Sequence, residues 1–148
     1  MKAPEFSLPD QNGEVQNLKF YHGKWILLYF YPGDFTIGCT KEACEFRDSI
    51  YEFDRRGVII MGVSKDSVET HKKFFNKYNL NFILLSDETM ETAKAYGAYN
   101  PKQFLGRPGV DRKTYLIDPK GELVKTYEKV NPLNHAGQIL KDLDALTS

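Results

Sequence analysis

Unbroken apolar runs alternate with amphipathic stretches along this chain. Residues 25–31 carry no charge and read as a strand buried on both faces, and residues 58–63 read the same way. Residues 82–85 form a third such run. Helical patterns lie between them. Cys39, Ala43, Phe46, Ile50 and Phe53 recur at steps of four, three, four and three, which puts them on one face of a helix. On its outer side Lys41 and Glu45, and Glu52 and Arg56, have the spacing of surface ion pairs. A second helix is expected after Asp66, with Glu69 completing a capping box and Val68, Phe75 and Tyr78 turned inward. A third is expected over residues 89–96 and a fourth over 134–146, the latter with Ile139, Leu143 and Leu146 as its apolar stripe. Asn12-Gly13 joins two short apolar segments near the start, and Asp118-Pro119-Lys120-Gly121 joins two more near the end; both have hairpin chemistry. Strands alternating with helices and closed by a hairpin define an α/β fold with a mixed central sheet. No repeat or low-complexity linker divides the chain, so residues 1–148 are expected to form a single domain.

Charge and composition narrow the function classes. Lys and Arg number 20, as do Asp and Glu, so the formal net charge is zero. Nucleic acid and anionic membrane surfaces call for a positive surplus that this chain lacks. No apolar run is long enough to span a bilayer, and the first ten residues do not have the pattern of a signal peptide, so a soluble cytoplasmic protein is expected. In such a compartment a pair of cysteines points to thiol chemistry before a structural bridge.

Cys39 is the better placed of the two for reactivity. The thiolate is the nucleophile, and an ordinary cysteine, with a pKa of about 8.5, is mostly protonated at neutral pH. Cys39 follows a buried strand, a Pro-Gly turn and Gly38, where a helix is expected to begin. Free backbone N–H groups and the positive end of the helix dipole favour an anion there. The position also lies at the carboxyl end of a central strand, where open α/β sheets place their ligands. The competing reading is a small buried apolar side chain, since Cys39 also heads the apolar stripe. Pro32 and Thr36 weigh against it, because a core cysteine needs neither a ring that excludes water nor a hydroxyl facing an oxygen held over the sulfur. Cys44 lies five residues on. In a regular helix that spacing separates Cα atoms by about 8–9 Å, whereas a disulfide needs roughly 4.4–6.8 Å. Any bridge between the two therefore requires the helix start to unwind; otherwise Cys44 is a surface thiol. The spacing is neither the C-x-x-C of thioredoxin-type oxidoreductases nor, with His22, His71 and His135 dispersed, a zinc site. His71 and His135 read as packing or surface residues on helices. A cysteine protease would need one of the histidines as its base.

The segment Pro32-x-x-x-Thr36-x-x-Cys39 resembles the peroxidatic-cysteine signature of the peroxiredoxins. With Phe30-Tyr31-Pro32 before it, Gly38-Cys39-Thr40 within it and a cysteine five places later, the chain resembles their bacterioferritin-comigratory, or Q-type, branch. The likeness continues in the opening residues 3–10, in residues 84–87 and 95–97, and in residues 112–118. It implies a thioredoxin-like fold, the mixed sheet flanked by helices and preceded by an N-terminal β-hairpin extension. It also implies roles: Cys39 as peroxidatic and Cys44 as resolving cysteine, Arg112 steadying the thiolate and polarising the peroxide, Thr36 bonding the peroxide, Pro32 shielding the pocket and Glu42 orienting Arg112. Read without the resemblance, Arg112 is a salt-bridge partner at a strand start. Many relatives have proline after the threonine, where this chain has Ile37, a change that removes no reacting group.

The expected reaction is reduction of hydrogen peroxide and organic hydroperoxides without metal, haem or flavin. Cys39 becomes a sulfenic acid, Cys44 converts it to an intramolecular disulfide, and thioredoxin or a similar dithiol restores both thiols. Such a bridge needs no second subunit, so a monomer is expected. Two other classes fit parts of the pattern: a general thiol–disulfide oxidoreductase, which would reduce disulfides faster than it consumes peroxide, and a redox-responsive binding module, which would oxidise once without turning over.

Overall fold

A computed structural model describes residues 1–147. Its centre is a five-stranded sheet in the order β5-β4-β3-β8-β9, built from β3 (Trp25–Phe30), β4 (Val58–Ser64), β5 (Ile83–Ser86), β8 (Lys113–Ile117) and β9 (Leu123–Tyr127). β3 runs parallel to β4, and β4 to β5, while β8 and β9 are antiparallel additions. The charge-free run of β3 follows from this central position: Leu27, Tyr29 and Tyr31 face one apolar cluster, Ile26, Leu28 and Phe30 the other. Helices cover both faces, as the sequence pattern requires of a strand with no polar side.

On the first face lie α1 (Ile37–Asp48), α2 (Ile50–Arg55), α3 (Val68–Lys77) and α5 (His135–Thr147), which supply Cys39, Ala43, Phe46, Phe53, Phe74, Ile139 and Leu143 to the cluster. The single long stripe expected from Cys39 to Phe53 is divided at Ser49, yet Phe46 and Phe53 remain fully buried on the same side. The second face holds α4 (Glu91–Tyr96) and the N-terminal hairpin, β1 (Ser7–Pro9) paired with β2 (Val15–Asn17) around Gly13 at φ +80°. The hairpin chemistry at Asn12-Gly13 and at residues 118–121 is thus realised, with Gly121 also at positive φ.

Four local expectations change. The N-cap of α3 is Ser67, whose hydroxyl accepts from the Thr70 N–H, because the Asp66 carboxylate is taken up elsewhere. The face of α3 that reaches full burial is His71 and Phe74, with Val68, Phe75 and Tyr78 only half-buried around them. Lys41 and Glu45 do not pair, since Glu45 instead accepts the Ala136 N–H at the start of α5, whereas Glu52 and Arg56 do pair at 2.8 Å. Leu146, one residue before the end of α5, is exposed. A further hairpin, β6 (Tyr99–Phe104) with β7 (Arg107–Val110), was not signalled: Pro101 and Pro108 interrupt its apolar alternation. No helix among the described residues is long and apolar enough to cross a membrane.

Candidate active site

The first two turns of α1 and the approach to β8 bring four of the sequence-selected residues together: Thr36, Cys39, Glu42 and Arg112. Thr36 is the N-cap of α1: its extended backbone lets the hydroxyl oxygen accept the Cys39 N–H at 3.3 Å, while the hydroxyl donates to the Gly33 carbonyl at 3.2 Å. Cys39 therefore stands in the first turn of α1, two residues inside its start, and is 1% exposed. Arg112 enters from the turn before β8. Its guanidinium is forked: Nη1 donates to Glu42 Oε1 at 2.7 Å and Nη2 to Cys39 Sγ at 3.3 Å. The antiparallel register of β3 and β8, with Phe30 opposite Lys113, carries the arginine to the carboxyl end of β3 where α1 starts. The guanidinium and the amino end of a helix are thus both placed at Sγ.

Gly38 makes this approach possible. A Cβ at that position would stand 3.1 Å from Arg112 Nη2 and 3.7 Å from Pro132 Cγ, so the guanidinium occupies space that any larger residue would contest. Pro32 is half-buried between β3 and this turn, and Thr36 and Ile37 are exposed. Cys44 lies on α1 with both cysteines as free thiols, Cys39 buried and Cys44 half-buried on a different side of the same intact helix. The folded chain keeps the two apart.

Glu42 is a carboxyl in an unusual position. It is 1% exposed, and its second oxygen, Oε2, has no hydrogen-bond partner. Burial raises its pKa, and the Arg112 guanidinium opposes this; burial prevails and the carboxyl is pushed up to about 7. Between about 4.5 and 7 the folded protein thus holds a proton that the unfolded chain has released. Stability therefore declines as pH rises through that window and levels off above it, the span corresponding to about 3 kcal/mol at most. Glu42→Gln keeps an acceptor for Arg112 but cannot titrate. Its denaturation midpoint should change less between pH 4.5 and 7 than that of the parent, as urea titrations at a series of pH values will read.

A second polar cluster lies beneath the same loop. The side chains of Asp34 and His71 are both fully buried, with His71 Nδ1 2.6 Å from Asp34 Oδ2. Asp66, His71 and Asp34 bring potential ligand atoms within 4.8 Å of one another. Their direct hydrogen bond at 2.6 Å leaves no space for an ion between them, whose ligands would each need about 2.0–2.2 Å. None of the three is among the site residues expected from the sequence. The signals were there in weak form: Asp34 follows a Pro-Gly turn, and His71 precedes Phe74 by one helical step. His135 is likewise buried, its Nε2 2.8 Å from Thr114 Oγ1, and burial lowers its pKa to about 4.

Comparison with known proteins agrees with this arrangement. The AhpC/TSA family pattern matches residues 1–126. Peroxiredoxin Bcp of Bacillus subtilis is 44% identical over 144 residues, covering 96% of this chain and 92% of its own, and that of Escherichia coli is 40% identical over 140 residues, covering 93% and 90%. Among solved structures, the Xanthomonas campestris bacterioferritin comigratory protein, studied for alkyl peroxide reduction, superposes with a TM-score of 0.91 at 34% identity, covering 97% of this chain and 92% of its own. Peroxidoxin BcpB from Mycobacterium tuberculosis gives 0.90 at 32%, covering 100% and 97%. The fold is that of the thioredoxin-like peroxiredoxins, whose class is thiol-dependent peroxidase. The chain belongs to the AhpC/TSA family, and within it to the Bcp or Q-type peroxiredoxins.

Proposed function

We propose that Cys39 is the peroxidatic nucleophile of this peroxidase and that Cys44 resolves it. The observation that carries the reading is the 3.3 Å contact of Arg112 Nη2 with Cys39 Sγ in the first turn of α1. The Cys39 thiolate attacks one oxygen of a hydroperoxide along the O–O axis. The S–O bond forms as the O–O bond breaks, and the leaving oxygen departs as water or alcohol once it has gained a proton. Arg112 and the backbone N–H groups of the first turn stabilise the charge moving onto that oxygen. Thr36 already gives its hydroxyl proton to Gly33, so its part is to accept the peroxide O–H on its remaining lone pair. Glu42 holds the other arm of the arginine, and Pro32 shields the sulfur from bulk water.

The Cys44 sulfur attacks the resulting sulfenic acid, the S–S bond forms as the S–O bond breaks, and the hydroxyl leaves as water with the proton that the Cys44 thiol gave up. Because both cysteines lie on one helix, the first turns of α1 unwind for that step. Thioredoxin or a similar dithiol then reduces the bridge by exchange, becoming oxidised itself. One domain acting as a cytoplasmic monomer suffices for this cycle.

Cys44→Ser tests the resolving role. Its first turnover should match the parent, and sustained turnover with a thioredoxin system should fall by about tenfold or more. Undiminished cycling would leave Cys44 without that role.

A further inference from the structure

We infer that Asp34, held by His71, is a fixed anchor beneath the active-site loop, and that the unwinding of α1 begins immediately after it, at Phe35. The inference rests on the proposed opening of the first turns of α1 and names where that opening stops.

Asp34 is bound on every side. Its Oδ1 accepts the Tyr31 hydroxyl at 2.7 Å, its Oδ2 meets His71 Nδ1 at 2.6 Å, and its N–H donates to Asp66 Oδ2 at 2.8 Å. His71 is fixed in turn, since Nε2 lies 2.9 Å from the Leu85 carbonyl, which can only accept. Asp66 also receives the Ser64 hydroxyl at 2.6 Å, and its own carbonyl accepts from the Ser86 hydroxyl. The loop is thereby tied to α3 through two side chains closed to water, and to the carboxyl ends of β4 and β5 through the half-buried Asp66. Freeing Asp34 would strand its buried carboxyl group and the buried His71 ring together.

The chain after Asp34 is held quite differently. Phe35 has φ +66°, a left-handed backbone that a bulky residue adopts only under constraint, and it is 45% exposed. Its ring rests against Phe74 at 5.1 Å and Tyr78 at 6.4 Å. The Thr36 cap that follows is exposed, with bonds of 3.2 and 3.3 Å. Opening at Phe35 relieves the strained backbone and breaks these contacts, the Thr40 N–H bond to the Thr36 carbonyl at 2.9 Å and the Arg112 contact with Cys39, while every bond of Asp34 is kept. The anchor keeps Pro32 and the loop entrance in place, and His71 is a positioning residue acting through Asp34.

Two substitutions separate this role from simple packing, because both remove the ring. An asparagine at 71 can still donate from the Nδ1 position to Asp34, whereas a glutamine reaches the Leu85 carbonyl and loses Asp34. Amide hydrogen exchange of the reduced protein, corrected for intrinsic rates, reads the boundary directly. In the parent, the Cys39 and Thr40 amides should exchange about 100-fold faster than the Asp34 amide. His71→Gln should raise Asp34 to the rate of that turn and slow the reaction of Cys39 with hydrogen peroxide about tenfold. His71→Asn should retain most of both properties. Equal exchange of Asp34, Cys39 and Thr40 in the parent would overturn the anchor, as would undiminished protection of Asp34 in His71→Gln. The reduced protein forms no bridge, so a failure of Cys44 to resolve would show in disulfide mass and not in this exchange pattern.

Discussion

Cys39→Ser is expected to remove peroxide turnover almost completely, by a factor of about 1,000 or more. The substitution changes one atom in a site that is otherwise preformed. Sγ is buried, faces one arm of Arg112, and sits in the first turn of α1. A serine hydroxyl there keeps the size and a hydrogen bond to the guanidinium, but its oxygen remains protonated and is a poor nucleophile toward peroxide. Folding should be little affected, because a hydroxyl bonded to Arg112 is satisfied. The measurement is peroxide consumption with a thioredoxin system, together with a thermal melt to show that the variant is folded. Activity close to the parent's would remove Cys39 from the chemistry.

The second large effect is expected at Arg112. Arg112→Leu should lower kcat/KM for peroxide by about 100- to 1,000-fold, the range for losing one group that stabilises developing negative charge. Arg112→Lys should recover only part of this. A single ammonium cannot span Glu42 and Cys39 as the fork does at 2.7 and 3.3 Å. The stability effect has its own signature. Without the opposing guanidinium, burial drives the Glu42 carboxyl further toward its neutral form, so the leucine variant should lose more stability at pH 8 than at pH 5. Steady-state kinetics and urea denaturation at the two pH values check both halves. A leucine variant with parental kcat/KM would reduce Arg112 to a structural ion pair.

The sequence was most informative where one residue type has one structural use. The apolar runs of β3, β4 and β5 carry no charge because both faces of the sheet are covered, and periodicity alone reveals that. The Gly13 and Gly121 turns were equally plain. What the sequence does not announce depends on contacts between distant segments. Nothing near His71 in the chain announces that Asp34, 37 positions earlier, will bond to it. Asp66 was assigned to a helix cap on local grounds, and tertiary structure took its carboxylate for Asp34 and Ser64 instead. The β6–β7 hairpin has no clear sequence signal because its strands carry prolines and few apolar positions. Arg112 is the instructive middle case. Local reading made it a salt-bridge partner, which it is, through Glu42; the second arm, directed at Cys39, comes from the pairing of β8 with β3.

The spacing of the two cysteines was legible and has the largest mechanistic consequence. Both lie on α1, so a form with a Cys39–Cys44 disulfide would need a different backbone from the folded one. The enzyme alternates, on the proposed cycle, between an intact first turn and an unwound one.

Intact-protein mass after one equivalent of hydrogen peroxide tests that cycle most directly. The parent should lose the mass of two hydrogens as Cys39 and Cys44 join, and the change should reverse with a dithiol. Cys44→Ser should instead gain one oxygen, trapped as a sulfenic acid on Cys39. A parent that gains oxygen without losing hydrogen, or a Cys39→Ser protein that still forms the oxidised product, would contradict the account.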